Sequence, residues 1–89
     1  MTRLDAFKIV AEDPWLKPTI AKLPLQEIDF IRKFLEDHKD LDVAAFRAKA
    51  HYLGVSTGIK VRADVVEVLG AINTTYGKAL TGLAKSRRK

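Results

Sequence analysis

The chain is 89 residues long, contains no cysteine and carries a formal net charge of +5. That length allows one domain with a core just large enough to fold alone, and the missing cysteines exclude disulfides, thiolate catalysis and cysteine-ligated zinc or iron–sulfur centres. No apolar run approaches the ~20 residues of a membrane span, and the N-terminus, with Asp5, Glu12 and Asp13, does not read as a secretory signal; the cytoplasm, or a host's cytoplasm for a viral chain, is the expected location.

Residues 3–12 place Leu4, Phe7 and Val10 or Ala11 on one helical face. Asp13-Pro14 ends that segment, because a residue before proline is pushed out of the α region. Asp13 can cap a turn that starts at Pro14, and the single tryptophan, Trp15, is expected as a core anchor. Residues 18–23 read as a short helix with Ile20 and Leu23 inward. From Pro24 to His38, Leu25, Ile28, Ile31 or Phe30, and Leu35 or Phe34 recur at three and four, the clearest amphipathic pattern in the chain. Asp29 with Lys33 and Arg32 with Glu36 are opposite charges four apart on that helix.

Asp40 or Asp42 is positioned to cap the next helix, which runs from Val43 to Leu53 with Val43, Phe46, Ala50 and Leu53 inward. Arg47 and Lys49 are left outward. Gly54 can then take a left-handed conformation just past the helix end, and Ser56 or Thr57 can cap a second helix. That order describes a helix-turn-helix corner. Beyond it, Ile59 to Ala63 alternates like a strand, whereas Val65, Leu69, Ile72, Tyr76 and Leu83 continue at three and four like a helix; residues 59–68 stay open between the two. Gly70, Gly77 and Gly82 each weaken a helix there, and Asn73-Thr74-Thr75 is a candidate break. The expected fold is an all-α bundle of four or five helices over residues 1–84, followed by a basic tail over 85–89.

The corner carries a resemblance. Ala50-His51-Tyr52-Leu53-Gly54-Val55-Ser56 resembles the first helix and turn of DNA-binding helix-turn-helix domains. Together with Leu25 to Leu35 and Ala44-Ala45-Phe46-Arg47-Ala48, it is similar to the N-terminal part of phage terminase small subunits, over about residues 24–69. In that family a glutamine-bearing amphipathic helix precedes a short alanine-rich helix, a glycine turn and a following helix. The chain departs from the tightest such units in having Lys60, between Ile59 and Val61, where they place an apolar residue. The resemblance implies a DNA-packaging or regulatory factor.

Charge supports a polyanionic partner independently. Residues 1–42 hold seven Lys/Arg against nine Asp/Glu, whereas residues 43–89 hold nine against two. The residues expected to bind duplex DNA are Arg47, Lys49, Ser56, Thr57, Lys60 and Arg62 around the corner, with Lys85, Arg87, Arg88 and Lys89 in the tail. Thr57, Lys60 and Arg62 are the candidates for reading bases. Val65, Leu69, Ile72, Tyr76 and Leu83 form a stripe expected to join copies into a homo-oligomer.

Catalysis has little support. No glycine spacing matches a phosphate loop, Ser56 has no base at a recognisable spacing, and His38 and His51 lack nearby ligand partners. No metal, cofactor or enzymatic role is expected. The competing reading is a helical assembly subunit or adaptor that docks on a larger protein machine without touching nucleic acid.

Overall fold

The longest helix organises the molecule, and three of the other four pack against it. The computed structural model describes residues 2–55 and 63–87. Five helices follow in order: α1 (Arg3–Ala11), α2 (Lys17–Ala21), α3 (Leu25–Asp37), α4 (Val43–Val55) and α5 (Ala63–Arg87). The all-α expectation holds, with no strand among the described residues. At 1.5 Å per residue α5 is about 37 Å long, and it packs chiefly on α4 and α1, with α3 behind.

The helix ends follow from short polar side chains. Thr2 and Asp5 form a reciprocal capping box on α1: the Asp5 amide donates to Thr2 Oγ1 at 3.2 Å and the Thr2 amide to Asp5 Oδ2 at 3.1 Å. The Thr2 amide, as the largest cause, and the Thr2 hydroxyl hold the Asp5 carboxyl below its ordinary pKa. Asp13 Oδ1 accepts the Trp15 amide at 2.8 Å in the connection to α2. Asp42, rather than Asp40, caps α4, its Oδ1 accepting the Ala45 amide at 2.7 Å. On α3 the close ion pair is Arg32 with Asp29, three residues back at 4.0 Å, rather than Arg32 with Glu36.

Phe46, Ile31, Leu35, Leu69, Ile72, Val65 and Val68 are the largest fully buried side chains. Burial of each stabilises the fold by roughly 1.5–3 kcal/mol. Phe34 of α3 meets Phe46 of α4 edge-on, with centroids 5.3 Å apart. Three expectations about the core fail. Trp15 is 85% exposed, because Leu16 and Leu23 already supply the apolar side chains of that short stretch. Leu25, the first residue of α3, is also exposed. On α1 the buried stripe is Arg3, Ala6, Phe7 and Val10, so an arginine takes the place given to Leu4.

Arg3 is 3% exposed and forms no ion pair among the described residues. Its Nη2 donates to the carbonyls of Leu41 at 2.7 Å and Asp42 at 3.1 Å. Its guanidinium lies 4.3 Å from the Phe46 ring centre and 4.4 Å from that of Tyr76. Burial lowers the Arg3 pKa from its ordinary value. Asn73 completes the arrangement, accepting from Arg3 Nε and donating from Nδ2 to the Val43 carbonyl at 2.9 Å. This is why α5 does not break at residues 73–75: the Asn73 amide is bonded inside the core instead of competing with its own backbone.

The corner differs in one respect. α4 runs to Val55, so Gly54 lies inside the helix rather than just beyond it. Residues 63–68 are helical, which decides that part of the open alternative, while 59–62 lie outside the described residues. α5 extends to Arg87, so Lys85 and Arg87 belong to its final turn.

Candidate nucleic-acid interface

α4 and α5 approach closely where Gly77 faces Val43. A Cβ on Gly77 would lie 3.2 Å from Val43 Cγ2, tighter than ordinary contact, so the missing side chain sets the spacing. On the surface this seam opens into a hollow of about 580 Å³. Val43 and Arg47 line it from α4, and Thr74, Lys78 and Thr81 from α5. A second hollow, of about 300 Å³, continues along the same seam past Ala50, His51, Val66 and Gly70. Arg47 and Thr74 border both hollows, so the two form one groove.

Among the described residues no carboxylate lines either hollow. Arg47 and Lys78 are exposed, and neither forms an ion pair or hydrogen bond among the described residues. The Thr74 hydroxyl donates to the Gly70 carbonyl at 2.9 Å and the Thr81 hydroxyl to the Gly77 carbonyl at 3.0 Å. Those protons are therefore engaged, and the charged donors left for an anion are Arg47 and Lys78. No Cβ contact within 4 Å would arise at Gly70 or Gly82, so a partner's backbone can come close there.

The expected site residues separate. Arg47 borders the groove, but Lys49 lies in a different depression of α4 with Ala45, Ala48 and Tyr52. The two do not share a face. Ser56, Thr57, Lys60, Arg62, Arg88 and Lys89 lie outside the described residues. Lys85 and Arg87 are carried at the far end of α5.

Most of the expected interface stripe is buried within the chain's own fold. Val65, Leu69 and Ile72 are buried in the chain's own core, at 1%, 0% and 0% exposure, by packing with α1 and α4. Tyr76 is half-buried beneath Arg3. Leu83 lies on α5, beyond the side chains described. The stripe faces inward because α1, α3 and α4 cover it up to Tyr76.

Lys78 is the groove residue that sequence reasoning missed. Its signal is positional: Thr74, Lys78 and Thr81 recur at four and three on the side of α5 away from Leu69 and Ile72. Among the described residues no group of three or more His, Cys, Asp or Glu is placed to hold a metal ion. No described helix is long and apolar enough to cross a membrane. Comparison of the chain with protein-family models, with curated proteins and with solved structures finds no match in any of the three.

Proposed function

We propose that the chain is a non-catalytic DNA-binding protein that seats the phosphate backbone of a duplex along the α4–α5 groove. One observation carries this reading: Arg47 and Lys78 border a groove free of carboxylates among the described residues, and neither has an anionic partner there. Cations in that state gain free energy by displacing the counterions condensed on a duplex. The groove also lies on the half of the chain that holds nine Lys/Arg against two Asp/Glu. Lys85 and Arg87 belong to the same helix in the chain.

Contacts of this kind set position and affinity and read no sequence. Base reading is assigned in this proposal to Thr57, Lys60 and Arg62, which come after α4 in the chain. The resemblance of residues 24–69 to terminase small subunits favours a packaging or regulatory role within this class. A domain of this size makes few phosphate contacts, so specific affinity calls for two or more copies on one duplex. With Val65, Leu69 and Ile72 buried, the apolar side chains available to join copies include Tyr52 and Leu80, 66% and 39% exposed.

The test is an electrophoretic shift with duplex DNA across salt concentrations, on the intact chain and on Arg47→Ala and Lys78→Ala. Each substitution is expected to reduce the slope of log affinity against log salt by about 0.9. Both residues are exposed, so helicity should be unchanged. Equal slopes in all three proteins would remove the groove from consideration. No salt-dependent binding at all would favour an assembly subunit that contacts only protein.

A further inference from the structure

α1, α2 and α3 meet around an apolar hollow of about 360 Å³ that shares no lining residue with the α4–α5 groove. Leu4, Phe7 and Ala11 of α1 line it, with Ile20 of α2 and Ile28 of α3. Phe7 is buried and forms part of the core, whereas Leu4 is left 36% exposed by the opening. The remaining lining residues are both cations, Lys8 and Arg32. Among the described residues no carboxylate lines the hollow. Arg32 pairs with Asp29 at 4.0 Å with both side chains more than half exposed, an ion pair that contributes little and yields readily.

We propose that this hollow binds a medium-chain aliphatic carboxylate, its hydrocarbon against Leu4, Phe7 and Ile28 and its carboxylate between Lys8 and Arg32. The volume falls in the range of about 300–1,000 Å³ found for small-molecule sites. Five apolar side chains from three helices gain by covering a hydrocarbon chain and offer nothing to a wholly polar ion. The two cations select the sign of the head group, and an arginine fork matches a carboxylate in particular. A phosphate-rich polymer suits the α4–α5 groove and not this one. The hollow includes no residue of α4 or α5, so the inference stands apart from the DNA reading.

The experiment titrates sodium decanoate, below its micelle concentration, into the intact chain by calorimetry and backbone-amide NMR. Decanoate should bind at one site and shift the amides around Leu4, Ala11 and Ile28. Decylamine, with the same chain and the opposite charge, should bind weaker by on the order of tenfold or more. The double variant Lys8→Gln with Arg32→Gln should lose that preference while keeping its circular dichroism, because both side chains are exposed. Equal affinity for the acid and the amine, or a preference that survives in the double variant, would overturn the proposal. So would capture of a peptide with an apolar C-terminal residue but no binding of decanoate. Amide shifts that track protein concentration without ligand would mean that a second copy covers the hollow, and would equally defeat it.

Discussion

Arg3 Nε donates to Asn73 Oδ1 at 3.3 Å, joining the first turn of α1 to the middle of α5 across 70 positions of sequence. Through the same two side chains the carbonyls of Leu41, Asp42 and Val43 are tied to the core. Arg3 thus fixes where the connection between α3 and α4 runs, and with it how α4 meets α5. Hydrogen bonds to a charged donor are worth about 1.5–3 kcal/mol each, and removing the donor leaves part-buried acceptors unpaired. Arg3→Met is expected to cost about 3 kcal/mol in urea unfolding. Arg3→Lys should recover only part of this, since an ammonium cannot span those acceptors and stack on both rings. A double-mutant cycle with Asn73→Ala should show coupling of more than ~0.5 kcal/mol. Independent, additive losses would mean that the bond contributes nothing to stability.

Trp15 yields the opposite expectation. Its indole is 85% exposed, so truncation removes almost no buried surface. Trp15→Ala should change stability by less than ~0.5 kcal/mol. The intrinsic fluorescence of the folded chain should resemble that of tryptophan in water and be freely quenched by acrylamide. A blue-shifted, protected signal would show the ring packed away in solution.

Helix existence was largely legible because it rests on local periodicity: the pattern Ile28, Ile31, Leu35 needs no knowledge of neighbours. The same holds for an aspartate cap on α4, narrowed by the sequence to Asp40 or Asp42, because a cap acts within three residues of itself. The parts that were not legible depend on contacts distant in sequence. A lone arginine at position 3 reads as surface, and only the carbonyls of residues 38–42 turn it into a core residue. Asn73 reads as a helix breaker until Arg3 and Val43 supply its partners. The stripe from Val65 to Ile72 was visible, but whether it faces its own chain or a second copy is a question of global area, which periodicity does not contain. For the groove, Arg47 was found from its outward position on α4, whereas Lys78 needed the packing of α4 on α5 to be placed beside it.

Gly70 lies within α5 and is exposed, with no neighbouring atom inside 4 Å of the place an alanine methyl would take. Gly70→Ala therefore gains helix propensity without a clash, worth about 0.8–1 kcal/mol. For a domain of this size that corresponds to a rise in Tm of about 4–8 °C per kcal/mol. Gly77→Ala should gain less or lose stability, because its methyl would press on Val43. Paired thermal melts decide it: equal stabilisation at both positions would mean that α4 and α5 are not closely spaced at Gly77.

The Asp5 carboxyl has a depressed folded-state pKa because the Thr2 amide and hydroxyl favour its ionised form. A depressed pKa stabilises the fold above the unfolded value and loses that contribution as pH falls through the folded one. The stability difference between the intact chain and Asp5→Ala should therefore be constant above the ordinary value of 3.8 and shrink below it. Well below the folded-state value only the uncharged part of the capping box should remain. A difference that stays flat across that acid range would mean the carboxylate is not the acceptor that holds Thr2.

Leu69 separates the core from an interface most directly. It is 0% exposed in a single copy, among the largest fully buried side chains of the fold. Leu69→Asp would place a carboxylate in an apolar site with no cation assigned to meet it, and the group must either ionise there or bind a proton to stay neutral. The expected result is destabilisation by more than about 4 kcal/mol, seen as lost helicity and an early urea midpoint. Raising protein concentration should not restore the fold, because the lost contacts are within one chain and not between copies. Retained helicity with a smaller sedimenting species would reverse the assignment and return the α5 stripe to an interface between copies.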